Sequence, residues 1–93
     1  MNKMQKEFYE AYSELIKANR TKEEYEVEYM LLEAKKIFSA EVGNLGNQQA
    51  RDAKVKKLLE KEYRKLVNLR TDSKEAYYKW ATLKTLIESG GDK

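Results

Sequence analysis

Carboxylates are the side chains that acid–base catalysis or metal binding would have to rest on, because the chain has no histidine and no cysteine. The densest cluster is Glu23, Glu24, Glu26 and Glu28, which a helix would spread around its circumference. Such a run is more often a solvated or salt-bridged face. Glu62 falls on an apolar seam, where a basic neighbour or exposure accounts for it better than a metal ion. We therefore predict no catalytic residue, no metal, no cofactor and no enzyme.

A row of basic side chains is the second feature with a possible chemistry. Lys54, Lys57, Lys61 and Arg64 step by three, four and three residues, which places them along one helical face. Such a row could contact nucleic-acid phosphates. The alternative is that the row neutralises an acidic segment elsewhere in the fold. We favour this alternative because the net charge is only +3.

Tyrosine is unusually frequent, with seven in the chain. Aromatic rings can stack on bases or anchor a protein interface. They can also line a wide helical seam with the hydroxyl at its edge. We predict that Tyr25 and Tyr29 line a seam and that Trp80 lies within one. Tyr9 and Tyr78 fall outside the seams, so they are the better interface candidates.

Apolar residues recur at heptad spacing in both halves of the chain, which predicts two long helices, over about 3–42 and about 48–89. The first seam runs through Met4, Phe8, Ala11, Leu15, Ala18, Tyr25, Tyr29, Leu32, Phe38 and Val42. The second seam runs through Val55, Leu59, Glu62, Leu66, Leu69, Ser73, Ala76, Trp80, Leu83 and Ile87. We favour continuous helices. The alternative is four shorter ones, because Thr21 and Asp72 could each cap a new helix.

The turn at residues 43–47 separates the two helices. Gly43 could take the left-handed conformation that ends a helix, and Asn47 suits the N-cap of the next one. Residues 23–41 carry six acids and two bases, whereas residues 51–70 carry eight bases and three acids. Folding about the turn places these opposite charges side by side. We therefore predict an all-α fold, a single domain over residues 1–93 in which two antiparallel helices form a hairpin or coiled coil.

The apolar stripes are wider than one seam. Leu31, Leu58 and Leu86 are among the apolar residues that a lone hairpin would leave in water, which forgoes burial energy. The chain has no disulfide to staple so small a scaffold. We predict a homodimer that completes a four-helix bundle, the commonest symmetric solution. A heterologous protein partner could cover the same surface.

The segment around the turn also carries a resemblance. Gly46-Asn47-Gln48-Gln49-Ala50-Arg51-Asp52-Ala53, followed by Leu58-Leu59 and a long charged helix, resembles a pattern of small phage and prophage proteins. The resemblance covers about residues 25–89. It implies a phage accessory protein of unassigned activity, and no catalytic residue carries over from it.

Together these features predict a protein–protein interaction module, such as a phage accessory protein or an inhibitor of a host factor. The alternative is a nucleic-acid-binding accessory protein that uses the basic row. The longest aliphatic run, Met30-Leu31-Leu32, is far shorter than a membrane span, and Met1–Gln5 lacks the apolar stretch of a secretory signal. We expect no membrane association and a cytoplasmic location, in the host cytoplasm if a phage encodes the protein.

Overall fold

The structure, a computed structural model, describes residues 2–91 and is built from helices. Their bounds are α1 Lys3–Ile37, α2 Ala40–Gly43, α3 Gln48–Leu58 and α4 Glu60–Leu86, followed by one wide helical turn, Ile87–Gly91. No strand occurs in the described part of the chain. The prediction of an all-α helical hairpin is confirmed.

The longest helix, α1, begins at a reciprocal cap. The Asn2 side chain accepts a hydrogen bond from the Gln5 amide at 2.8 Å, and the Gln5 side chain accepts one from the Asn2 amide at 3.1 Å. These bonds satisfy two backbone donors near the start of α1, of the kind that a helix start leaves without partners. The sequence reasoning did not identify this cap.

Both long helices pass without interruption through the places where a break was considered. Thr21 lies inside α1, where its hydroxyl donates a hydrogen bond to the Lys17 carbonyl at 3.0 Å instead of capping a new helix. Asp72 lies inside α4. The alternative of helices broken near Thr21 and Asp72 is therefore wrong.

The first helical arm is interrupted at Phe38 and Ser39 instead. Both the amide and the hydroxyl of Ser39 donate to the Lys36 carbonyl, at 3.0 and 2.7 Å, which closes a tight turn and ends the α-helical pattern. Phe38 therefore lies outside α1 and is 87% exposed, so its predicted place in the seam is wrong. Val42, in α2, is fully buried as predicted.

The second arm begins at the predicted cap. The Asn47 side chain accepts a hydrogen bond from the Ala50 amide at 2.7 Å, which confirms Asn47 as the N-cap of α3. Gly43 is the last residue of α2 and does not take the left-handed conformation expected of it; its amide donates a hydrogen bond of 2.8 Å to the Ser39 carbonyl. The predicted helix over 48–89 is divided at Leu59, and α4 ends at Leu86.

The chain divides into two compact units. The terminal unit comprises Met1–Lys22 and Leu69–Lys93, and the central unit comprises Glu23–Asn68. In each unit, a stretch of α1 packs against a stretch of the second arm. All the predicted seam positions except Phe38 are buried or half-buried. The heptad pattern therefore identified the packing residues of both units.

The terminal unit is built around Trp80. Its ring centroid lies 6.2 Å from that of Phe8, 5.8 Å from that of Tyr12 and 5.9 Å from that of Tyr77, distances typical of aromatic packing. Further along the same unit, the Ser73 hydroxyl donates a hydrogen bond to the Asn19 side-chain oxygen. Residue numbers rise along α1 as they fall along α4, so the two stretches are antiparallel.

The central unit has a core of aliphatic and tyrosine side chains. Its buried hydrophobic residues are Tyr25, Tyr29, Val42, Val55, Leu59 and Leu66. The rings of Tyr29 and Tyr63 lie 6.0 Å apart, and the Lys65 ammonium lies 4.5 Å from the Tyr25 ring centroid. The lysine ammonium therefore lies over one face of a buried tyrosine.

Leu59 supplies the stability test of this core. It is 2% exposed, so Leu59→Ala should lower the free energy of unfolding by about 2–5 kcal/mol through lost burial and the cavity left behind. Leu86→Ala, at a half-exposed leucine, is the matched control and should cost far less. Urea unfolding followed by far-ultraviolet circular dichroism measures both. Equal losses would contradict the central core described here.

Candidate interaction surface

The residues predicted to form an interaction surface lie in both units. Tyr9, Tyr78 and Leu86 belong to the terminal unit and are exposed. Leu31 and Leu58 belong to the central unit, where Leu31 is exposed and Leu58 is half-buried. The structure therefore does not gather these five residues into one patch within either unit.

A more regular surface follows α1 on the side away from its seam. Its members step by four and three residues, and each of them is exposed. We name this set the outer stripe: Tyr9, Ser13, Ile16, Arg20, Glu23, Val27, Met30, Ala34 and Ile37. Six of the nine are apolar. A second heptad on the solvent face of a helix that is already paired is the pattern of an interface, because large exposed apolar patches are uncommon on monomers.

The signal for the outer stripe was present in the sequence. Tyr9 follows the seam residue Phe8, and Ile16 follows the seam residue Leu15. From the spacing alone, Ile16 is interpreted as a widening of the seam, whereas Tyr9 falls outside it. Counting them separately, at their own heptad spacing, identifies a second face of the same helix.

Two shallow grooves flank the aromatic cluster of the terminal unit. One is lined by Gln5, Phe8, Tyr9, Lys84, Ile87 and Glu88, and the other by Glu7, Glu10, Tyr78, Lys79, Thr82 and Leu83. The Lys84 ammonium lies 5.3 Å from the Trp80 ring centroid, and Lys79 pairs with Glu14 at 3.2 Å. The two lysines of these grooves are thus each engaged with a neighbouring side chain.

The basic row has a partly neutralised environment. Lys57, Lys61 and Arg64 line one shallow groove together with Leu58 and Glu60. Arg64 forms an ion pair of 2.8 Å with Glu60 one helical turn away. Lys54, the fourth member of the row, is half-buried. The groove could attract an anion, but it contains an acid and one of its bases is paired.

Glu62 is half-buried in the seam of the central unit, close to two phenols. Burial is the main cause that raises the pKa of Tyr25, and the charges of Glu62 and Glu28 raise it further. Burial also raises the pKa of Tyr29, with smaller contributions led by Glu33. The charge of Glu62 therefore favours the neutral form of both tyrosines.

The described residues, 2–91, contain no group of three or more acidic side chains placed to hold a metal ion. Within the same residues, no helix combines the length and apolar character needed to cross a bilayer. The surfaces that stand out are thus the outer stripe and the basic groove.

The raised pKa values of Tyr25 and Tyr29 predict a pH dependence. The folded state holds these two protons more tightly than the unfolded chain, whose tyrosines titrate near pH 10.0. Their contribution to stability is therefore complete below about pH 10 and is lost as pH rises above it. Denaturant unfolding at stepwise alkaline pH should show a shallower decline for Tyr25→Phe/Tyr29→Phe than for the parent. Tyr78→Phe, at an exposed tyrosine, should decline as the parent does, and identical profiles for all three proteins would refute the prediction.

Comparison with known proteins adds no relative. No protein-family model, no curated protein and no solved structure matches this chain. The candidate surfaces are therefore defined by the geometry of the chain itself.

Proposed function

We propose that this chain is a small protein–protein interaction module that binds its partner through an apolar face of α1. The outer stripe carries the proposal. Tyr9, Val27 and Met30 are each about 60% exposed on a helix whose opposite side is already packed. Covering such side chains gains roughly 25 cal/mol for each Å² of apolar surface removed from water.

The size of the chain supports the same proposal. Two helices can bury only the seam between them, and a chain of 93 residues without cysteine has little else to stabilise it. Association with a second copy would supply the missing burial, as a homodimer. A heterologous protein could occupy the same face. A phage or prophage accessory protein acting on a host factor in the host cytoplasm is the setting that the turn motif suggests.

We propose no catalytic activity for the chain. Glu23, Glu24 and Glu28 are exposed on α1, where water solvates them. Glu62, the one acid of the seam, acts on two buried tyrosines and not on an open cleft. General acid–base catalysis draws on groups positioned against a substrate, and these carboxylates are distributed as a solvated helix surface is.

The proposal is tested by the mass of the protein in solution. Sedimentation equilibrium at micromolar concentration should report roughly 22 kDa, a dimer of the 11.0 kDa chain, because two-fold dimers are the commonest closed assembly. Met30→Glu places a charge in the outer stripe and should shift the equilibrium toward the monomer. Lys74→Glu, an exposed charge change on α4, is the control and should leave the mass unchanged. A cooperatively melting monomer at all concentrations would contradict self-association through this face.

A nucleic-acid-binding function is the second candidate, because Lys57, Lys61 and Arg64 surround one groove. We expect only weak binding to duplex DNA or RNA, since Glu60 lies in the groove and pairs with Arg64. Fluorescence anisotropy should show binding that fades steeply with added salt and disappears in Lys57→Glu/Lys61→Glu, but persists in Lys74→Glu. Tight binding that survives physiological salt would favour this second function over the first.

A further inference from the structure

We propose that the outer stripe binds the outer stripe of a second copy of this chain, antiparallel, with Arg20 of each copy opposite Glu23 of the other. This inference rests on the proposed function and names the partner and the register. It follows from the order of apolar and charged residues along the stripe.

The stripe consists of two parts with matching periods. In the terminal unit, Tyr9, Ser13, Ile16 and Arg20 follow one another by four, three and four residues. In the central unit, the corresponding residues from Glu23 to Ile37 step by four, three, four and three. Each part is a half-interface, and two-fold symmetry allows the terminal part of one copy to dock on the central part of the other.

One register of the two stripes pairs residues of complementary charge and size. When Arg20 faces Glu23 of the second copy, Ile16 faces Val27 and Tyr9 faces Ala34, so branched side chains meet and a large ring lies over a small residue. The same register sets Met30 opposite Ser13 and, at each end of the interface, Ile37 opposite Lys6. Antiparallel coiled coils alternate their two core positions across the interface in this way. Symmetry produces each contact twice.

Neighbouring registers are worse because they place Arg20 or Glu23 against an apolar side chain in the middle of the interface, where water is excluded. Sliding one copy by seven residues in one direction puts Arg20 opposite Ile16. Sliding it by seven in the other direction puts Arg20 opposite Met30 and Glu23 opposite Val27. A charge that loses water without a partner is costly, so the two charged residues disfavour both alternatives.

The charge of α1 points to a second copy of the chain as the occupant. Residues 3–22 carry five bases and three acids, whereas residues 23–37 carry five acids and two bases. Antiparallel pairing of two copies sets the net positive part against the net negative part, and parallel pairing does not. Arg20 and Glu23 are exposed and have no ion-pair partner on their own chain within residues 2–91. Lys17 and Glu24, on one flank of the stripe, repeat the same complementarity.

The proposed contact leaves each hairpin intact. At 3.6 residues per turn, the stripe lies on roughly the opposite side of α1 from the seam. The dimer therefore stacks the two α1 helices against each other, with each seam kept. This arrangement differs from a bundle in which four helices close around one shared core.

Charge reversal tests the register. Arg20→Glu and Glu23→Arg should each weaken dimerisation about tenfold, because each replaces two opposite-charge contacts with two like-charge ones. The combined Arg20→Glu/Glu23→Arg variant restores opposite charges across the interface and should dimerise within about twofold of the parent. Sedimentation equilibrium measures the dissociation constants, and circular dichroism establishes that the variants fold. Single variants that dimerise like the parent, or a combined variant that stays weak, would overturn the register.

Cysteine cross-linking gives an independent readout, since the chain has no cysteine of its own. Ile16→Cys/Val27→Cys should form disulfide-linked dimers on mild oxidation, because those two positions face each other between copies and lie too far apart within one helix. Ile16→Cys alone and Val27→Cys alone should not cross-link. A parent dimer without this pattern overturns the register but leaves the interaction module standing. A parent that remains monomeric overturns the homodimer together with its register.

Discussion

The seam along α1 is the packing constraint on which the other features depend. Helices of this composition are marginal alone in water, so their order comes from burying one side against a partner helix. Tyr25 and Tyr29 in the central unit and Ala11 and Leu15 in the terminal unit show how closely that side is packed. Once the seam is fixed, the opposite side of α1 is fixed as well, and the apolar residues on that side are left largely exposed to water.

Polar positions in the seam make the pairing specific. Ser73 is buried, and its hydrogen bond to Asn19 requires α1 and α4 to pair in one register. An apolar seam of leucine and alanine could slide by a heptad at modest cost, whereas a slid seam would leave this hydroxyl and amide without partners. Glu62 has a related effect in the central unit, where a half-buried charge must stay near the solvated edge. Ser73 and Glu62 reduce the apolar area that the seam buries, and they disfavour other registers of the paired helices.

The heptad spacing was sufficient to predict the helices and the seam because hydrophobic periodicity is a local property of the sequence. It could not predict where the helices stop. The end of α1 depends on Ser39, whose hydroxyl and amide both donate to the Lys36 carbonyl, whereas the apolar periodicity continues beyond α1 to Phe38. Gly43 is expected to end a helix in the left-handed conformation, and α2 ends at Gly43 without that conformation. The outer stripe was visible in the spacing, but separating it from the seam required knowing which side of α1 is buried.

The position of Trp80 makes the protein its own optical probe. It is the only tryptophan in the chain, and its ring packs among Phe8, Tyr12 and Tyr77 in the terminal unit. Its indole nitrogen is buried and has no hydrogen-bond partner in the described chain, so packing and the nearby Lys84 ammonium hold the ring in place of a hydrogen bond. Indole emission will therefore report loosening of the terminal unit, while the tyrosine core of the central unit contributes no tryptophan signal. Comparing that emission with far-ultraviolet ellipticity separates the melting of one end of the hairpin from the loss of helix as a whole.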